Sequence, residues 1–328
     1  MKIAIVKLSA MGDIIHAMVA LQQIKKQQPN LQIDWIVEQG FKQVLENNPD
    51  IDNILTVNLK AIKKDKMALF SEIKKIKSYA KNNYDLVIDA QGLLKSAITS
   101  KLLGKKVAGF SKESIREGIA SLFYSDTVEI DYAANAIERN VKVLCKPLGV
   151  EMSKKDILNK KPFLHFSQKQ ELPIDIENYI LFVVGASKEN KIYPKEHFLE
   201  VAKQLNEKVL VIWANEYEKE VADYLAMNLE QVTASPKLNL DQLKRVVAES
   251  KLVIGGDTGP THMAWALNIP SVSIFGNTPE HRNTYLTSIN KVIKSDTFVD
   301  PLKLDKNDFS IRKINPEKIV TIAKELLS

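Results

Sequence analysis

Short apolar runs alternate along this chain with longer stretches in which apolar positions recur every three to four residues, the pattern of a parallel α/β sheet. The first run, KIAIVKL (2–8), predicts a strand, followed by a helix from about 14 to 28 that Pro29 stops. Strands follow at QIDWIVE (32–38) and NILTVNL (53–59), then a lysine-rich helix, then a strand at YDLVIDA (84–90). Gly104 and Gly109 bracket another turn and short strand, and a helix over about 134–148 carries Cys145. The pattern lapses over 151–176, which is polar, carries two prolines and shows no sustained period. It restarts at NYILFVVGAS (178–187), with strands at 208–214, 231–233, 251–256 and 271–276 and helices at 195–206, 216–229, 240–250 and 261–267. The spacing of Ile319, Ile322, Ala323, Leu326 and Leu327 predicts a final helix over 315–327.

The lapse divides the 328 residues into two Rossmann-like domains, 1–168 and 169–328, each of ordinary domain size. Two such halves leave a cleft between them, where the carboxyl ends of both sheets can face a ligand. The N-terminal MKIAIVKLSAMGD has the start of a signal peptide, but its apolar run stops at Lys7 without a small-residue cleavage site, so it reads as the first strand. No apolar run approaches the roughly 20 residues that a membrane span needs. The one cysteine, Cys145, has no partner for an internal disulfide, which suits a reducing cytoplasm.

Charge changes this picture. The chain carries a net +6, but residues 1–168 hold 26 Lys and Arg against 18 Asp and Glu, and residues 169–328 hold 20 against 22. The stretch 60–81 alone has eight lysines against Asp65 and Glu72. A basic N-terminal half points to an anionic partner, or to a solvated lysine-rich helix. No stacking aromatics are interleaved with the lysines, so nucleic acid is not expected as that partner.

Candidate chemistry sits at the strand–helix junctions. In KLSAMGDIIHAMVAL (7–21), Asp13 stands at the start of the helix, where it serves either as a cap for free backbone N–H groups or as a general base at the sheet's carboxyl edge. Lys7 and His16 flank it, and a lone His on an apolar helix is more often packed than functional. The second junction, GGDTGPTHMAWAL (255–267), is more specific. Pro260 is tolerated in a first helical turn, and the free amides of Thr258, Gly259 and Thr261 at the positive helix end suit a phosphate. A third stretch, VGASKENKIYPKEHF (184–198), offers Ser187, Lys188, Lys191 and Lys195 as groups to offset charge on a departing diphosphate, or simply as a solvated lysine loop. The junctions fit neither GxGxxG nor GxxxxGK[ST], which sets aside a dehydrogenase and a Walker-type NTPase. The five histidines lack HxxxH or HExxH spacing, and Asp50–Ile51–Asp52 reads as a surface turn, so no metal and no cofactor are expected.

Taken in order, several blocks resemble the ADP-heptose:lipopolysaccharide heptosyltransferases, the type I branch above all. They are KLSAMGDIIHAMVAL, IDWIVEQGF (33–41), YDLVIDAQGLLKSA (84–97), REGIASLFY (116–124), KIYPKEHF (191–198), VIWANEYEKE (211–220) and GGDTGPTHMAWAL. The resemblance implies a GT-B architecture of two Rossmann-like domains facing across a cleft, with the C-terminal helix packing back on the N-terminal domain. It implies an acceptor-binding N-terminal domain and an ADP-heptose-binding C-terminal domain. The implied reaction is inverting transfer of L-glycero-D-manno-heptose from ADP-heptose to the first Kdo of Kdo2-lipid A, in lipopolysaccharide core synthesis.

Carried over by position, the resemblance makes Asp13 the general base and Lys191 the group that steadies the ADP leaving group. It implies donor binding by Ala186, Ser187, Lys191, Glu218, Leu238, Asp257, Thr258, Gly259 and His262. Ala186 stands where relatives carry a hydroxyl residue. Acceptor binding falls on Lys60, Lys63, Lys64 and Arg116, with lysines where relatives often have arginine's bidentate fork. The implied location is peripheral, at the cytoplasmic face of the bacterial inner membrane. Two other readings stay open from sequence: a related transferase adding heptose to a heptose acceptor, and a nucleotide-sugar-binding protein without catalysis.

Overall fold

The computed structural model describes residues 1–63 and 68–328, which form two compact units, Met1–His165 and Phe166–Ser328. In the first, strands β1 (Lys2–Val6), β2 (Gln32–Glu38), β3 (Asn53–Val57), β4 (Leu86–Asp89), β5 (Val107–Phe110) and β6 (Asp126–Val128) make one sheet of order β3-β2-β1-β4-β5-β6. Its longer helices are α1 (Met11–Gln27), α3 (Ala68–Tyr79), α4 (Leu94–Leu103) and α5 (Ala136–Cys145), with short α2 (Lys42–Leu45) and α6 (Lys154–Leu158). The second unit repeats the plan with β7 (Ile180–Val183), β8 (Val209–Ile212), β9 (Val232–Ala234), β10 (Leu252–Gly256), β11 (Ser271–Phe275) and β12 (Asn290–Lys294), ordered β12-β11-β10-β7-β8-β9. Its helices are α7 (Lys195–Leu205), α8 (Glu216–Asn228), α9 (Leu240–Ala248), α10 (Gly259–Leu267), the short α11 (Glu280–Asn283) and α12 (Pro316–Leu327).

All ten strand pairings among the described residues are parallel. Sheets of this kind are covered on both faces, which is why the central strands read as unbroken apolar runs. Every residue of β7, β10 and β11 is buried. Parallel order also delivers every strand-to-helix loop of a unit to one edge of its sheet, and the candidate chemistry lies on those loops.

The apolar face of the C-terminal helix is taken up by its own unit. Ile319, Val320 and Ala323 of α12 are buried in the second unit's core with Phe198, Val201, Val272 and Ile274, and α12 packs on α7. The spacing of those apolar residues follows from that local packing.

Helix α4 departs from the usual pattern and had no periodic signal in sequence. Its buried face includes Ser96, Thr99 and Ser100, whose hydroxyls bond Asp89 Oδ2 (2.9 Å), Lys95 O (2.8 Å) and Ser96 O (2.8 Å). Its Leu94 and Ile98 are exposed. No helix among the described residues is long and apolar enough to cross a membrane.

Candidate active site

In the second unit the chemistry gathers where β10 ends. Gly255 and Gly256 close the strand, and the backbone is crowded at Gly255, where a Cβ would lie 2.6 Å from Val183 Cβ. Asp257 follows, and its side chain is 8% exposed. Lys191 Nζ donates to Oδ2 at 2.9 Å and Asn283 Nδ2 to the same oxygen at 3.1 Å, while His262 Nε2 lies 3.2 Å from Oδ1. Burial pushes the Asp257 carboxyl up, but the His262 hydrogen bond and the charge of Lys191 outweigh it, and the group is held well below the usual carboxylate range. Asp257 is therefore a fixed anion that ties the Lys191 loop, the β10–α10 turn and the α11 segment together.

Thr258 is the N-cap of α10, and its side chain makes no capping bond to the helix amides. Its hydroxyl lies 3.3 Å from that of Thr261. Pro260 has no N–H to satisfy, so the first turn presents the amides of Gly259 and Thr261 at the positive end of a nine-residue helix. Lys191 and this turn lie together, as a phosphate site needs.

The other donor candidates lie along the same edge. Strand β7 pairs with β10, and Gly185, Ala186 and Ser187 follow it; Ser187 is exposed and Ala186 half-buried. Strand β8 comes next, and its loop leads to Glu218 in the first turn of α8. Glu218 accepts from Ala214 N–H and Asn215 Nδ2, both at 2.7 Å, and it lies so close over Gly185 that a Cβ there would overlap its carboxylate. The loop after β9 carries half-buried Leu238. From β10 to β9 is three strand spacings, about 14 Å, so the candidates form a row rather than one cluster.

The first unit places its candidates on the corresponding edge. Asp13 is the third residue of α1, and its Oδ2 accepts the Ala10 N–H at 3.2 Å. Ala10 rather than Asp13 is the N-cap; Asp13 reaches back to it from the third helical position, and its side chain remains exposed. The loop before it is held from below: Gln91 Oε1 accepts the N–H groups of Leu8 (3.0 Å) and Ser9 (3.1 Å). Gln91 is in turn set by Asp89, whose Oδ1 accepts its N–H at 2.8 Å and whose Oδ2 accepts from Tyr124 at 2.7 Å. Burial pushes the Asp89 carboxyl up despite these bonds. Lys7 is buried rather than presented to a ligand, donating to Ala90 O (2.8 Å) and Asn140 Oδ1 (3.0 Å), and His16 is packed inside.

Lys60 and Arg116 are exposed, on loops that follow β3 and β5. Each of those strands is two places from β1, so the basic side chains flank the Asp13 loop at about 10 Å on either side. Lys60 Nζ sits 5.0 Å from the Phe41 ring centroid. Lys64 lies outside the described residues, and of Lys63 only the backbone is described. Asp52 of the Asp50–Asp52 pair accepts from Ile33 N–H at 2.7 Å and pairs with Lys25 at 3.4 Å, a structural use of that turn.

Three residues at these edges escaped sequence reasoning. Asn283 is 26 residues from Asp257 in a four-residue helix, with no spacing to mark it. Gln91 is part of the QG dipeptide after β4, a signal for a turn and nothing more. Glu38 ends β2 beside the Asp13 loop, its N–H donating to Leu8 O at 3.2 Å. It is 3% exposed, and its Oε1 has no hydrogen-bond partner among the described residues. Burial pushes the Glu38 carboxyl up against the pull of Lys95 and Lys60.

Known proteins resemble this chain in sequence and fold. Residues 73–306 match glycosyltransferase family 9 (heptosyltransferase). Lipopolysaccharide heptosyltransferase 1 of Campylobacter coli is 38% identical, over 99% of this chain and 99% of that one. The protein of the same name from Escherichia coli K12 is 32% identical, over 85% and 88% of the two chains. The structure of E. coli heptosyltransferase WaaC with ADP-2-deoxy-2-fluoro heptose superimposes with a TM-score of 0.82 at 27% identity, covering 99% of both chains.

Proposed function

The chain belongs to glycosyltransferase family 9, the heptosyltransferases, and we propose that it transfers L-glycero-D-manno-heptose from ADP-heptose to the first Kdo of Kdo2-lipid A. The observation that carries this reading is the Lys191–Asp257–His262 cluster at the uncapped first turn of α10. It combines one cation, held by one buried anion, with amides aimed outward, which suits a diphosphate that gains charge as it leaves. Glu218, Ala186, Ser187 and Leu238 extend from it along the sheet edge for about the length of a nucleoside diphosphate, with Leu238 packing on the base.

The reaction is a single displacement. The Kdo hydroxyl oxygen forms a bond to the anomeric carbon of heptose while its proton passes to the Asp13 carboxylate. The bond from that carbon to the diphosphate oxygen breaks, and ADP departs with the electron pair towards Lys191 and the α10 amides. One displacement inverts the anomeric centre, and no covalent sugar–enzyme bond forms. Lys60 and Arg116, and with them Lys63 and Lys64, meet the carboxylates and phosphates of the acceptor. The charge of the first unit and the lipid nature of that acceptor support a peripheral position at the cytoplasmic face of the inner membrane.

The test is an acceptor panel with ADP release as readout. Kdo2-lipid A should support turnover with ADP-heptose, and heptosyl-Kdo2-lipid A should not. Turnover on the heptosylated acceptor alone would transfer the assignment to a heptose-adding enzyme. Tight ADP binding without turnover on any acceptor would leave a binding protein, a reading favoured by the capping bond of Asp13.

A further inference from the structure

Helix α4 exposes Leu94 and Ile98, at 37% and 43%, while its buried face carries Ser96, Thr99 and Ser100 beside Ala97 and Leu103. These two are one turn apart and share a face. Beside them the 3-10 helix Gly118–Phe123 packs on α4 and exposes Ile119 and Leu122, at 60% and 79%. The two pieces are tied where they meet, since Leu94 N–H donates to Glu117 Oε2 at 2.7 Å. Two branched side chains of α4 left exposed beside a second exposed apolar pair make a patch that folding does not use.

The surroundings say what kind of partner fits. Between residues 94 and 122 the chain holds Lys95, Lys101, Lys105, Lys106, Lys112 and Arg116 against only Glu113 and Glu117. Lys95 and Lys101 stand on α4 beside Leu94 and Ile98 and are exposed. The Lys112 stem crosses Gly118, where a Cβ would come within 3.0 Å of its Cγ, and so stands at the start of the Ile119–Leu122 turn. Lys95 also reaches the field of Glu38, next to the loop that carries Asp13.

We propose that Leu94, Ile98, Ile119 and Leu122, ringed by these cations, form the surface by which the first unit docks on an anionic lipid bilayer. Apolar side chains enter the headgroup–acyl boundary while the cations meet lipid phosphates. The proposal rests on the lipid acceptor assigned above and gives that acceptor its approach: the sugar reaches the Asp13 edge while its acyl chains stay in the bilayer.

The test is flotation of the full chain with vesicles of phosphatidylethanolamine and phosphatidylglycerol, against vesicles of phosphatidylcholine. Wild type should float with the anionic vesicles and separate from them at high salt. The Ile119→Glu/Leu122→Glu variant should lose roughly tenfold or more of that binding, since it removes apolar burial and adds repulsion. Its turnover on a soluble, de-acylated Kdo acceptor should match wild type, and that arm reports on the transferase assignment separately from the surface. A second variant, Leu122→Trp, should give a blue-shifted emission on adding anionic vesicles, above the native Trp35, Trp213 and Trp265. Vesicle binding equal to wild type in the double glutamate variant, or an emission unmoved by anionic vesicles in Leu122→Trp, would overturn the proposal. So would a wild-type dimer that the glutamates dissociate while vesicle binding is unchanged, which would mark the face as a contact between copies.

Discussion

Replacing Lys191 by alanine leaves the Asp257 carboxylate in a site that is 8% exposed, held among the described residues by His262 and Asn283. At 2.9 Å and an effective dielectric near 20, the gross attraction of the pair is about 6 kcal/mol. Desolvation cancels most of that, and a charge-assisted bond nets about 1.5–3 kcal/mol. Because two of the three partners remain, Lys191→Ala should cost about 2 kcal/mol of stability, read from guanidinium unfolding by tryptophan fluorescence. Asp257→Asn should cost much less in the Lys191→Ala background than in wild type, leaving a coupling of about 1–2 kcal/mol. The pH dependence has a fixed sign. Burial raises the Asp257 carboxyl, but His262 and Lys191 hold it below its unfolded value, so its contribution is complete above about pH 3.9 and declines as pH falls towards the depressed value. The gap between wild type and Lys191→Ala should therefore narrow only in acid. Turnover should drop by about 100- to 1,000-fold in Lys191→Ala if the ammonium meets the departing diphosphate. Additive stability effects within about 0.5 kcal/mol, together with near-normal kcat, would refute both roles.

Three further outcomes are expected. Asp13→Asn keeps an oxygen for the Ala10 N–H, so the melting temperature should hardly move while kcat falls by about 100- to 10,000-fold; near-normal kcat would leave Asp13 as a helix cap alone. Gly185→Ala drives a Cβ into the Glu218 carboxylate and should weaken ADP binding in calorimetry as well as cost about 1–3 kcal/mol; unchanged ADP affinity would remove Glu218 from the donor site. Burial pushes the Cys145 thiol up to about 12, so iodoacetamide at neutral pH should label the chain only after denaturation, and rapid labelling of folded protein would contradict its burial.

The fold was most legible where apolar periodicity and burial agree. QIDWIVE over 32–38 is β2 to the residue, and the strand expected over 271–276 is β11, Ser271–Phe275. Legibility failed where polar side chains satisfy one another inside. Helix α4 left no amphipathic trace, because Ser96, Thr99 and Ser100 hold its inner face through hydroxyl bonds that spacing does not reveal. Strand β12, NKVIK, lies at the sheet edge with only Val292 and Ile293 apolar, so no apolar run marks it. The α10 turn announced itself through its glycines, Asp257 and Pro260, whose backbone requirements are local. Asn283 and Gln91 did not, since their roles arise only when distant loops meet at a sheet edge.

A transferase moves a sugar from one molecule to another, and the mass of the acceptor reports that directly. Kdo2-lipid A incubated with ADP-heptose and the purified chain should gain the mass of one heptosyl unit, matched mole for mole by free ADP, and Asp13→Asn should slow that gain severely. An acceptor of unchanged mass beside intact ADP-heptose, with a folded protein that binds ADP, would contradict it.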